Sequence, residues 1–239
     1  QILPGSTGFF EEERFNTFMG AGALGATIDD YNGDNFDHSD LNFIHGGSIS
    51  INQSGKRPIG SNTVPSGTPN WGAEFKAQSI KYFTRSLNIG TQGASMPVQH
   101  NFMDLDPTYK DAYGLPLLRL TYDFTKQDKE LYNYIGKIAD QIMLEMGADK
   151  VNERSNLESY DIVPYQTTHN TGGVIMGAEP ETSAVNNYLQ MWDAENVFVV
   201  GASAFAHNGG YNPTATVGAL AFRAAEGILK YSKEGGMLA

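Results

Sequence analysis

No cysteine occurs among the 239 residues. Its absence excludes disulfides, thiolate nucleophiles, iron–sulfur ligation by this chain and any cysteine-based zinc site, while leaving the compartment open. There is also no run of ~18 apolar residues of the kind a membrane-spanning helix requires. Positive charge is scarce: 16 Lys and Arg stand against 27 Asp and Glu, a formal charge of −11. Broad attraction to nucleic-acid phosphates or anionic lipid would work against that field, so neither nucleic-acid binding nor direct membrane insertion is expected. The opening Gln1-Ile2-Leu3-Pro4-Gly5-Ser6 lacks a basic start and an apolar core, so no signal or transit peptide is read there. Either a processed chain or a piece of a longer one is expected. With 40% hydrophobic and 18% charged residues the composition is that of a folded protein. The length suits one large domain, or a smaller domain with an appendage.

Periodicity outlines the elements. Alternation over 42–51 predicts a strand, and a Gly/Pro/Ser/Asn stretch over 55–69 predicts a loop. Asn70 is a candidate cap for a helix over 71–87, with Phe75, Ile80, Phe83 and Leu87 as its apolar face. Strands are expected near 93–103 and 115–123, the second with Leu118, Leu120 and Tyr122 on one parity. The clearest helix starts at Thr125, where Asp128 three residues on makes a capping box. Leu131, Ile135, Ile138, Ile142 and Met146 recur at helical spacing until Gly147. An extended segment near 163–168 and a short apolar strand over 197–200, ending at Gly201, follow. The last helix is expected over 214–231, with Leu220, Ala221, Ala224 and Ile228 inward and a Glu226–Lys230 pair outward. Strands and helices mix without a regular βαβ rhythm, which favours an α+β fold with a mixed or antiparallel sheet.

Several motifs lose weight on inspection. Gly20-Ala21-Gly22-Ala23-Leu24-Gly25 matches the dinucleotide fingerprint, but the charged residues before it are not a buried strand, and a loop or packing turn is the better reading. Ser203 follows an apolar strand as in a nucleophile elbow, yet Phe205 stands where that turn requires glycine, so a hydrolase is disfavoured. Asn52-Gln53-Ser54 is a formal sequon too short to carry functional weight. None of the five histidines, His38, His45, His100, His169 and His207, pairs with another at the spacing of a helical metal site, and no metal is expected.

Two stretches remain. His169-Asn170-Thr171-Gly172-Gly173 places an imidazole at the entry of a glycine-rich turn, where it is accessible and the backbone can be approached closely. In the second, an apolar strand ends at Gly201, a polar glycine loop spans His207 to Tyr211, and Asn212-Pro213-Thr214 opens a helix. The N–H groups left over at such a start can face an electron-rich ligand.

Taken together, His169-x-x-Gly172 with Met176, then Asn212-Pro213-x-x-Thr216 and Arg223-Ala224-Ala225, resemble the C-terminal signature of the glucose-methanol-choline (GMC) flavin oxidoreductases. Within that family the likeness is greatest to bacterial sugar and gluconate dehydrogenases. Residues 28–38, Leu105-Asp106-Pro107 and Lys110-Asp111-x-Tyr113-Gly114-x-Pro116 look like segments of that subgroup's substrate half. The resemblance implies FAD as cofactor and oxidation of an alcohol group of a sugar, sugar acid or polyol by hydride transfer to flavin N5. It assigns catalysis to His169, as proton acceptor, and to Asn212, as hydrogen-bonding partner of the substrate oxygen. Gly201, Ala202, Asn212, Pro213 and Thr214 would border the cofactor, and His207 and Asn170 the substrate. Residues 1–195 would form the substrate-binding domain and 196–239 a segment completing a flavin-binding domain. The N-terminal half of that flavin-binding domain, which the glycines at 20–25 do not replace, would come from an N-terminal region or a companion chain. The resemblance also implies an electron-accepting cytochrome as a candidate partner and the periplasm as the compartment. A carbohydrate-binding or scaffold module of the same fold, without redox chemistry, is the alternative.

Overall fold

A computed structural model describes residues 2–15, 25–52, 63–152, 156–161 and 169–238. The chain folds as two compact units that interleave along the sequence: Ile2–Gly93 with Thr125–Glu158, and Ala94–Phe124 with Ser159–Ala239. Residues 169–195 and 196–238 lie in the same unit.

In the first unit, β1 (Ser6–Phe9), β2 (Gly25–Ile28), β3 (Gly47–Asn52), β4 (Ser86–Gly93) and β7 (Lys150–Val151) form one sheet in the order β2-β3-β4-β1-β7, antiparallel throughout. Leu87 and Ile89 of β4 are buried between exposed Asn88 and Gly90, the alternation of a strand with one covered face. Helix α2 (Lys126–Glu145) packs on β1 and β4. Its capping box is the expected one: the Thr125 hydroxyl accepts from the Asp128 N–H at 3.1 Å, and the Asp128 carboxylate accepts from the Thr125 N–H at 2.8 Å. Leu131, Ile135, Ala139 and Met143 are its buried stripe, while Met146, expected on that face, is exposed beyond the helix end. Glycines in the sheet bring the helix close: a Cβ at Gly8 would lie 2.4 Å from Met143, and one at Gly47 2.7 Å from Ile135.

Two expectations fail here. Helix α1 spans Gly72–Tyr82, with Trp71 rather than Asn70 at its cap, and it stops well short of Leu87, which belongs to β4. Ser79 and Tyr82 are buried while Ile80 is 68% exposed, so the ragged apolar pattern pointed to the wrong face. Tyr82 is held by Glu11, whose carboxylate accepts from its hydroxyl at 2.7 Å and from Lys81 at 2.5 Å. Those bonds, Lys81 foremost, hold the Glu11 carboxyl below its ordinary pKa. The strand expected over 42–51 begins only at Gly47, because His45 adopts φ +62° and turns the chain. Gly25, the last glycine of the fingerprint-like run, opens strand β2 rather than a helix; residues 20–24, like the extended segment expected over 163–168, lie outside the described residues.

The second unit contains a hairpin of β5 (Phe102–Lys110) and β6 (Pro116–Thr121), the pair β8 (Gln190–Met191) and β9 (Ala194–Phe198), a short 3-10 helix at Ala202–Ala204, and α3 (Thr214–Glu234). The strand expected near 93–103 is thus shifted along the chain to Phe102–Lys110, and the one expected over 115–123 is trimmed at both ends. The Asp111 carboxylate closes the hairpin turn by accepting from the Tyr113 and Leu115 N–H groups. Hydrogen bonding to Arg119 across the strands holds the Asp104 carboxyl below its ordinary pKa. Leu118, Leu120 and Tyr122 share a parity as expected, but that face is exposed. The core of this unit joins Val185, Leu189, Ala204 and Ala224 to Val174, Met176, Met191, Val199 and Leu220. Strand β9 ends at Phe198 and pairs antiparallel with β8. On α3, Ala224 and Gly227 are buried while Ala221 and Ile228, expected inward, are exposed. The helix contacts its unit through Gly227, where a Cβ would lie 3.0 Å from Tyr188. Arg223, not Lys230, is the partner of Glu226, at 3.3 Å; Lys230 lies over the Tyr188 ring.

Candidate active site

The second unit brings the two stretches singled out in the sequence side by side through main-chain hydrogen bonds. Gly172, Val174 and Met176 donate to the carbonyls of Ala202 (3.2 Å), Ser203 (2.8 Å) and Ala204 (2.9 Å). Between its own chain neighbours, Val185 pairs with Met176 and Met191, so the segment after His169 is held from both sides. Gly172 lies at φ +81°, a conformation that turns the chain just after His169-Asn170-Thr171. Its tightest surroundings are ordinary contacts, whereas a Cβ on Gly173 would meet the end of Met103 at 2.6 Å.

A second tie lies further along. The Asn208 side-chain amide donates to the His169 carbonyl at 2.8 Å, and the Asn208 main chain exchanges two hydrogen bonds of 2.9 Å with Ser95. Three segments, at residues 95, 169 and 208, therefore meet around one buried amide. Asn212 lies four residues past it, immediately before Pro213 and α3. His169 is half-buried; Asn170, His207 and Asn212 are exposed. Asn208 was passed over in the sequence, since its neighbours His207 and Asn212 carry the more obvious chemistry. Its signal was available only as a polar residue inside a glycine loop.

The expected cofactor-bordering residues lie in two stretches, one just past the end of β9 and one at the start of α3. Gly201 adopts φ +128° and ψ −168°, and a Cβ there would meet no atom within 4 Å. Ala202 caps the Gly172 N–H through its carbonyl. Helix α3 starts with Pro213 at its cap and no side-chain cap hydrogen bond, and Thr214 is exposed. The features that could meet a flat, hydrogen-bonding ring such as a flavin are an open glycine at 201 and, separately, the start of a 21-residue helix without a side-chain cap. They do not fit a dinucleotide's pyrophosphate, for which a strand–glycine–helix turn is needed and none occurs among the described residues. No group of three metal-ligating side chains occurs among them either, and no helix among them is long and apolar enough to cross a membrane. Ser203 sits inside the 3-10 helix and contributes its carbonyl to the ladder.

The family model of the GMC oxidoreductases matches residues 97–221, a span that holds both stretches and the ladder between them. The chain belongs to the GMC oxidoreductase family. It is 42% identical over 227 residues to the gluconate 2-dehydrogenase flavoprotein of Pantoea cypripedii, an alignment covering 93% of this chain and 37% of that protein. It is 33% identical to the 2-methyl-1,2-propanediol dehydrogenase of Mycolicibacterium austroafricanum, over 87% of this chain and 37% of that protein. To the fructose dehydrogenase large subunit of Gluconobacter japonicus it is 32% identical, over 59% and 24%. The chain thus spans little more than a third of the length of the relatives it matches best over its own length.

Proposed function

We propose that this GMC chain forms the substrate side of an FAD-dependent oxidoreductase that oxidises an alcohol group of a sugar, sugar acid or polyol. The observation that supports this most is the ladder from 172–176 to 202–204 together with the Asn208–His169 bond, which bring the histidine turn and the Asn212 loop into one unit. Bound FAD would supply the acceptor for the hydride that leaves the substrate carbon. The chain's own part is proton and oxygen chemistry. His169 takes the hydroxyl proton as the carbon–oxygen double bond forms, the general-base role that histidine most often fills. Asn212 cannot act as a base; its amide donates to the substrate oxygen and steadies the charge that develops there before the proton is gone. Gly201, Ala202, Pro213 and Thr214 would border the flavin ring, while Asn170 and His207, both exposed, would meet hydroxyls of a polyol.

Residues 1–195 serve the substrate and 196–239 complete the flavin-binding domain, whose phosphate-holding part comes from outside the 239 residues. The gluconate 2-dehydrogenase relative is a flavoprotein and the fructose dehydrogenase relative a large subunit, which supports a companion subunit; a cytochrome would accept the electrons, and the periplasm would be the compartment. In the flavin-loaded protein His169→Ala should lower turnover by about 10² to 10⁴. A variant with flavin retained and turnover within about threefold of the parent would remove His169 from the mechanism.

A further inference from the structure

Asn208 is 2% exposed although it sits in a loop between exposed His207 and a pair of glycines. Burying an amide there needs a reason, because each of its polar atoms gives up water. One half of the amide is used: Nδ2 donates to the His169 carbonyl at 2.8 Å. The other half is not, since Oδ1 is buried without a hydrogen-bond partner. An apolar side chain of similar volume would fill the space without leaving an acceptor unmatched. What only an amide supplies is the donor to His169. The Asn208 backbone cannot drift to accommodate that bond, because it is fixed by the two hydrogen bonds to Ser95.

The His169 carbonyl belongs to the peptide plane joining His169 to Asn170. Fixing that plane constrains the His169 backbone, and with it the direction in which its Cβ and imidazole leave the chain. The constraint comes from the loop that carries Asn212, so the two groups of the proposed chemistry share one anchor. We infer that Asn208 is a positioning residue: its buried amide sets the orientation of His169 and holds the histidine turn in register with the loop leading to Asn212. This rests on the reading of His169 as the proton acceptor. A displacement of about 1 Å in such a constellation can cost on the order of 10²-fold in rate.

Two substitutions separate positioning from packing. Asn208→Asp keeps the shape, but its ionised carboxylate presents only acceptors to the His169 carbonyl, whereas its protonated form regains a donor. Asn208→Ala removes donor and volume together. In the flavin-loaded full-length protein, both variants should keep flavin and KM while kcat falls on the order of 10- to 100-fold. The ratio of Asn208→Asp to parent kcat should rise as pH is lowered and the introduced carboxyl takes up its proton. In the chain alone, with histidine ring nitrogens isotopically labelled, both variants should move the His169 resonances. The inference is overturned by a kcat ratio independent of pH, by unchanged His169 resonances, or by kcat within about threefold of the parent. It is equally overturned if neither variant folds, which would assign Asn208 to stability alone. The two readings fail separately: indifference of turnover to His169→Ala sinks the base assignment, whereas loss with His169→Ala but not with the Asn208 variants sinks only the positioning role.

Discussion

Replacing Gly201 by alanine isolates a backbone requirement at the proposed cofactor edge. At φ +128° and ψ −168° Gly201 occupies a region that is essentially closed to residues with a Cβ. No steric neighbour confuses the outcome, since the added methyl would meet nothing within 4 Å. The whole cost is local strain, on the order of 1 to 3 kcal/mol. For a chain of this size ~2 kcal/mol corresponds to a fall in Tm of roughly 4 to 8 °C. Two units make two unfolding steps possible, so the transition to follow is that of the unit bearing α3; in a Trp71→Phe background the remaining tryptophan, Trp192, belongs to that unit, and its fluorescence reports the step. In the full-length protein the same methyl would stand in the open space at Gly201, proposed to border the flavin, and flavin should be held less tightly even under conditions where the variant is fully folded. A variant with unchanged Tm would refute the backbone argument. One that loses stability but binds flavin as the parent does would refute the placement of the ring beside Gly201.

In the other unit, Gly47→Ala should be more damaging, because its Cβ would lie 2.4 Å from the Gln92 carbonyl oxygen and 2.9 Å from the Gly93 Cα. Backbone atoms in the middle of a sheet cannot step aside cheaply, so a loss of at least ~1 to 3 kcal/mol in denaturant unfolding is expected, and parent-like stability would contradict the β3–β4 register. Glu11 titrates below its ordinary value, chiefly through its hydrogen bond to Lys81. A depressed carboxyl contributes stability above the unfolded-state pKa and loses it as pH falls through the lower folded value. The group is surface-placed, so the effect is small and weakened by salt. Lys81→Met should therefore lower Tm slightly at neutral pH and converge on the parent in acid; a difference that grows with acidity would reverse the assignment.

What was legible in the sequence followed how much each signal depends on local chemistry. The start of α2 was, because Thr125 and Asp128 satisfy each other's N–H groups without help from elsewhere. Its apolar repeat then gave the buried stripe to within a position or two. Helix α1 was legible as a helix but not in its extent or face, since Leu87 looks like one more apolar residue at helical spacing. What moves Leu87 into a strand is pairing with β1 and β3, a long-range event that periodicity cannot show. The fate of β9 was decided in the same way: an apolar run ending at glycine reads as a strand of a buried sheet, yet β8 is the neighbour it finds.

The site was legible as two motifs and illegible as a piece of construction, for a reason that lies in what holds it. Catalytic loops are ordinarily positioned by side chains that a pattern of hydrophobicity can flag. Here the turn after His169 is fixed by carbonyls of Ala202, Ser203 and Ala204, residues whose side chains announce nothing. Main-chain ladders of this kind depend on small residues and permissive glycines, which is why Gly172 and Gly201 stood out while the bonds between their neighbours did not. Asn208 is the exception that uses a side chain, and it was overlooked because its amide is spent on a carbonyl rather than turned toward a ligand. The residues most visible in the sequence are those proposed to meet substrate; those that hold their segments in place are small, buried or acting through their backbone, and only the folded chain reveals them.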